Sequence, residues 1–213
     1  MAVNSKNDIM NSALVLLGQR AATSPTEQTK ASQFANDRYE TVRDSVLARG
    51  SWNSATTRAK LSKLSTSPAF GFANQFVIPG DFLRFLRFNE NDPLNIPHRI
   101  EAVSDGQGAA TRVLLTDNTE AHIVYIFRLT EVAAMDELLK YAISARLAYE
   151  ISLAVKGDIQ QTNFFKGLSD EAIADGHYVD ADQGPVEVMG GNLWVGSRFT
   201  GDGPFRSIEA ATS

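Results

Sequence analysis

YETVRDSVLARGSWNSATTRAKL, residues 39–61, decides the fold. Tyr39, Val42 and Val46 recur at helical spacing as far as Gly50. From Ser51 the period changes to two: Trp52, Ser54, Thr56 and Arg58 face one way, Asn53, Ala55, Thr57 and Ala59 the other. A helix therefore stops at Gly50 and a strand begins at once. Outward from this join, two helix-patterned segments come before it. Strand and turn patterns fill residues 51–129, then two further helix-patterned segments and a Gly-rich tail complete the chain.

The first helix is expected over residues 6–17, with Ile9, Ala13, Leu16 and Leu17 on one face and Gly18 as its stop. The second has a start signal in Ser24 as N-cap, Pro25 at the first helical position and Glu27 completing a capping box. Its apolar face is Ala31, Phe34, Ala35, Tyr39, Val42 and Val46. Thr130 is the expected cap of the third helix, whose apolar positions are Met135, Leu138, Leu139, Ala142, Ile143, Leu147 and Ile151. Arg146 and Glu150, four apart, form a surface pair. Gly157 ends this helix and Asp158 caps a fourth, with Gln161 at the capping-box position. That helix fades between Asp175 and Asp182.

Between the helix pairs, residues 62–74 and 89–97 read as loops and residues 75–78 as extended. The Pro79-Gly80-Asp81 turn leads into FLRFLRF, where helical and extended readings compete; a strand is preferred. Further strands are expected at residues 99–103, 112–116 and 122–129, joined by turns at Asp105-Gly106-Gln107-Gly108 and Asp117-Asn118. The expected fold is α+β: a four-helix bundle (residues 1–50 and 130–182) interrupted by a β-rich insertion (51–129), with an extended C-terminal arm (183–213).

The chain has 213 residues, 43% hydrophobic and 21% charged, which is the composition of a folded domain rather than a disordered one. A net charge of −5 disfavours tight, sequence-independent DNA binding, which needs Lys and Arg to neutralise phosphates. There is no cysteine, which removes disulfides, thiolate nucleophiles and Cys-based zinc sites and is compatible with a reducing cytoplasm. The N-terminal apolar run is too short for a signal peptide, and no apolar stretch approaches the roughly 20 residues that span a bilayer.

No constellation for catalysis stands out. His98, His122 and His177 lack the spacing that aims two imidazoles at one metal. Asp180 and Asp182 begin a calcium-loop pattern, but Pro185 replaces its turn glycine and Gly191 its closing acid. Asp170 and Glu171 are adjacent on a helix and point apart. Gly106-x-Gly108 lies between strands and reads as a hairpin turn, not a dinucleotide loop. No catalytic residue, cofactor or metal is assigned. Basic residues do cluster, and Arg58, Lys60, Arg84 and Arg87 are the candidates for a DNA-facing or lumen-lining surface. Solvated strand faces are the simpler reading of the same residues.

Four segments in this order resemble the head-to-tail adaptor family of tailed bacteriophages, called tail tubular protein A in short-tailed phages. They are NSALVLLGQ (11–19), the join itself (39–61), FVIPGDFLRFLRF (76–88) and YIFRLTEVAAMDELLKYAISARLAYEISLAV (125–155). The resemblance extends to about Asp182. It implies a dodecameric ring docked beneath the portal and joined to the tail nozzle, assembled in the bacterial cytoplasm and carried in the virion neck, through which DNA passes without specific binding. It also implies that the helices form the ring wall and that the arm grips the portal, here through Leu193, Trp194, Phe199 and Phe205. Loops 62–74 and 89–97 would meet the nozzle. Two other readings stand beside it: a tail-associated glycan hydrolase built from scattered carboxylates, and a nucleic-acid-binding domain.

Overall fold

The computed structural model describes residues 5–21, 29–88, 96–104 and 110–182. Their elements run α1 (Lys6–Leu16), α2 (Lys30–Arg49), β1 (Thr56–Lys60), β2 (Ser62–Lys63), β3 (Asn74–Val77), β4 (Phe82–Phe88), β5 (His98–Ser104), β6 (Ala110–Thr116), β7 (His122–Phe127), α3 (Glu137–Lys156) and α4 (Ile159–Asp182). All strand pairs are antiparallel, in a three-stranded sheet ordered β1-β7-β4 and a four-stranded sheet ordered β2-β3-β6-β5.

The mixed α+β class is observed, but the four-helix bundle is not. Among the described residues, four helices and seven strands share the structure, and α1, α2 and α4 each pack on α3. The core they enclose is completed by Trp52, Ala55, Ile126, Leu129 and Val132 from the join, β7 and the segment after it. The physical reason lies in α2. It buries a stripe of Ala35, Tyr39, Val42, Val46 and Leu47, and Trp52, Ala55 and Ile126 join the same core beside it, so the helices share their core with the join and the sheet. Sheet residues fill what the helices leave. A second core, between the sheets, gathers Leu61, Phe76, Phe82, Phe88, Leu114 and Ile123.

Several element ends differ from expectation. Helix α2 starts at Lys30, capped by Thr29, whose hydroxyl accepts from the Ser32 N–H at 3.2 Å. The expected capping box of Ser24, Pro25 and Glu27 lies outside the described residues, as does the arm, residues 183–213. Helix α1 has a capping box that sequence reading missed, with the Ser5 hydroxyl accepting from Asp8 N–H and the Ser5 N–H donating to the Asp8 carboxylate. Helix α3 is capped by Asp136 rather than Thr130, since a 3-10 turn at Val132–Ala134 intervenes; Asp136 accepts from Leu139 N–H at 2.7 Å. Gly157 closes α3 at φ 67°, in the left-handed region that favours glycine. Helix α4 does not fade but stays helical to Asp182.

The competing readings of FLRFLRF have a structural resolution. Its three-residue period suits neither a regular strand nor its register, and β4 meets β7 with shifts between Phe82 and Arg84 and between Phe85 and Arg87. Leu83 and Leu86 occupy those irregularities and pack toward the helical core. Each bulge resets the alternation, so Phe82, Phe85 and Phe88 all join the inter-sheet core while Arg84 and Arg87 share the opposite face. The loop expected over residues 62–74 is shortened at both ends by β2 and the start of β3.

Candidate functional site

The join is where the helical layer, the first sheet and the end of α4 meet. The period-two pattern expected from Ser51 begins only at Thr56, because Asn53–Ala55 form a 3-10 turn. Trp52 causes this: fully buried, it turns back on α2 and its indole N–H donates to the Val46 carbonyl at 3.0 Å. Arg84 on β4 then holds the helix end, donating to the Arg49 carbonyl at 3.2 Å, the Gly50 carbonyl at 2.7 Å and the Ser51 hydroxyl at 2.9 Å. A cation at the carboxyl end of a helix also meets the negative end of its dipole. Arg84 is therefore a clamp as well as part of the basic face.

The end of α4 docks on the same residues. Asp180 accepts from the Asn53 N–H at 3.0 Å, and the Asn53 side-chain amide donates to the Asp180 carbonyl at 2.7 Å. His177 meets the Trp52 ring edge-on at 4.9 Å between centroids and lies against Gly50. Ser54 donates to Asp136 at 2.9 Å, fastening the join to the start of α3 as well. Burial, with the Arg84 charge second, holds the His177 imidazole below its ordinary value, while Asp180 pulls the other way. Burial raises the Asp180 carboxyl; the Asn53 hydrogen bond opposes this and the Asp136 charge adds to it.

The first sheet presents the basic candidates in register. Thr56, Ile126 and Arg84 form one cross-strand row, Arg58, Val124 and Arg87 the next, and Lys60 lies opposite His122. Directly paired residues share a face. All four predicted basic positions thus fall on one face of β1-β7-β4, its inner end sealed by Ile126 against the helices. Lys60 is paired with Glu120 at 2.8 Å, and that hydrogen bond and charge lower the Glu120 carboxyl. Beside this face, an open depression of about 480 Å³ is lined by Asn53, Thr56, Thr57 and Arg58.

The remaining candidates are dispersed. His98 packs against Phe85 and Phe88, His122 approaches Glu120 at 3.6 Å, and His177 belongs to the join. Asp170 pairs with Arg49 at 3.4 Å. Asp180, half of the calcium-loop pattern, is engaged by Asn53, and Pro185 and Gly191 lie outside the described residues. So do the portal-contact candidates Leu193, Trp194, Phe199 and Phe205. Among the described residues no group of three or more His, Asp or Glu side chains is placed to hold a metal ion. No helix among them is long and apolar enough to cross a membrane.

Sequence reading missed the docking of α4 through His177 and Asp180. A signal was present in Gly176, a glycine inside a helical pattern, which marks a close approach. A Cβ there would meet the Trp52 ring at 2.5 Å. The sequence matches no protein-family model and no curated protein.

Proposed function

We propose that this chain is a structural subunit of a phage head-to-tail adaptor, a ring that joins the portal to the tail nozzle and encloses part of the DNA ejection channel. The observation that carries the reading is a well-packed chain with large apolar side chains left outside its core along α3 and α4. Tyr141 is 44% exposed, Leu153 53%, Ile159 68%, Phe164 66% and Tyr178 79%. Such side chains suit contacts with neighbouring subunits, and a closed ring needs complementary faces of this kind. The join supports the same reading, since it ties the helices to the sheet through hydrogen bonds from three elements and so couples the positions of two interfaces. Arg58 and Arg87 on one sheet face, in a chain whose net charge is −5, suit a channel that DNA passes without being held.

Co-expression with the portal of the same phage, followed by negative-stain imaging, tests the proposal. Stacked rings are the expected result, and persistent non-association overturns it. Removal of residues 183–213 should abolish portal association while leaving helical content intact.

The hydrolase alternative has one convergence in its favour: Asp136 and Asp180 lie close enough at the join for one charge to act on the other. Both, however, accept hydrogen bonds from backbone N–H groups, Asp136 as the cap of α3 and Asp180 from Asn53. A polysaccharide-cleavage activity removed by D180N would favour that alternative.

A further inference from the structure

Strand β5 (His98–Ser104) is an edge of the second sheet. Among the described residues it pairs with β6 alone, in an unbroken register from His98 opposite Thr116 to Ser104 opposite Ala110. The direction of its main-chain groups follows from the far side of β6. Ile78 N–H donates to the Arg112 carbonyl at 3.0 Å, so Arg112, Leu114 and Thr116 turn their main-chain groups toward β3. Alternation turns Thr111, Val113 and Leu115 toward β5, where Val103, Glu101 and Arg99 stand opposite them. The N–H and C=O groups of Ile100 and Ala102 are therefore directed outward, away from β6. An edge of this kind is a template for a further strand.

The side chains choose that strand. Charges on an edge ordinarily ward off a second copy, and β1 carries only the cations Arg58 and Lys60, β4 only Arg84 and Arg87 along a bulged ladder. Strand β5 carries both signs two residues apart on one face: Arg99 and Glu101, with side chains 73% and 44% exposed, pair at 3.2 Å. Set antiparallel to itself with Ile100 opposite Ile100, the strand places Arg99 of each copy opposite Glu101 of the other. The outward groups of Ile100 then face each other as a hydrogen-bonded pair. The two neighbouring registers that keep those groups facing set Glu101 against Glu101 or Arg99 against Arg99, so charge selects the first.

The opposite face agrees. Phe76, Leu114 and Ile100 form one cross-strand row of the inter-sheet core, which stops at the edge with Ile100 half-buried. The same two-fold register places Ile100 beside its twin and continues the apolar row from one copy into the other.

We infer that β5 is a self-complementary contact through which two copies of this chain join their second sheets into one continuous antiparallel sheet. The interface is isologous, each copy offering the same strand. It uses none of the α3 and α4 side chains on which the adaptor reading draws, so the two readings fail separately.

Sedimentation velocity of the full-length chain over a concentration series tests the contact in wild type, R99E, E101R and the double variant R99E/E101R. Wild type should dimerise. Each single reversal sets like charges opposite one another in both halves of the pairing and should raise the dissociation constant about tenfold or more. The double variant restores opposite signs and should return to the wild-type constant, and an equal mixture of R99E with E101R should form the mixed dimer. Both positions are exposed, so all four proteins should melt alike, which separates lost contact from lost folding. A wild-type chain that is monomeric at every concentration overturns the contact. So does dimerisation unchanged by either single reversal, or lost in both and recovered neither in the double variant nor in the mixture. A larger ring that persists unchanged in E101R overturns the β5 contact and leaves the adaptor reading standing.

Discussion

Arg84 on β4 donates a hydrogen bond to the carbonyl of Gly50, the residue that closes α2, at 2.7 Å across 34 positions of sequence. A carbonyl left without a helical partner is thereby satisfied by a cation from the sheet, and helix and sheet are held at one relative position.

Removing that cation should be costly. R84A loses the hydrogen bonds to Arg49, Gly50 and Ser51 and is expected to reduce unfolding stability by about 2–3 kcal/mol, given the worth of charged hydrogen bonds. R84K should recover less than half, because a single ammonium cannot reproduce the guanidinium fork. Urea denaturation measures both; an R84A midpoint equal to wild type would show that the clamp contributes nothing.

Glycine at position 50 is required by packing and not by backbone angle. Its φ of −116° is open to any residue, but a Cβ would overlap the His177 ring. G50A should destabilise by about 1–3 kcal/mol through overpacking. The double variant G50A/H177A should lose less than the two single losses added together, since removing the ring makes room for the methyl. Additive losses in the thermal or urea cycle would place the strain elsewhere.

The join should loosen in mild acid. His177 faces Arg84 from β4 and Asp180 on its own helix, and its imidazole is held below the ordinary 6.5. The folded state therefore binds this proton less readily than the unfolded chain. The stability is fully present above pH 6.5 and is lost as pH falls from there through the folded value. Asp180, raised above 3.8, has the opposite sign: its ionisation costs stability as pH rises through its folded value, so acidification below that value offsets part of the loss. Melting temperature measured from pH 7.5 to 5 should decline in wild type and flatten in H177Q; parallel curves for the two would remove His177 as the cause.

Asp44 is shared by two arginines. It accepts from Arg43 at 2.7 Å and from Arg128 at 2.8 Å, and the Arg43 side chain is only 7% exposed. D44A leaves that buried guanidinium without its carboxylate and is expected to cost about 3 kcal/mol. D44N, which keeps an acceptor but not the charge, should lose less. Calorimetric unfolding of the two variants decides whether charge or hydrogen bonding dominates.

The periodic features of the chain were legible because they depend on neighbours a few residues away. The stops at Gly18, Gly50 and Gly157, the strands expected at residues 99–103, 112–116 and 122–129, the last of which ends at Phe127, and the Arg146–Glu150 pair at 2.9 Å all follow from local spacing. Even in this last case the tertiary structure adds Arg38 of α2 to the same glutamate at 3.4 Å. The basic candidates were legible as residues but not as a surface, since only pairing with β7 sets Arg58 and Arg87 in one row across Val124.

By itself, then, the sequence determined that α2 stops at Gly50 and α3 at Gly157, and the mixed α+β class, while the strand expected from Ser51 begins only at Thr56. Tertiary structure decided against a four-helix bundle, because Trp52, Ala55 and Ile126 pack into the same core as the buried stripe of α2. It also decided the register of β4, where two bulges reconcile a three-residue repeat with a two-residue pleat. Only in three dimensions do Arg84, His177 and Asp180 converge on residues 50–53, since hydrogen bonds and ring contacts across such separations leave no local pattern to read.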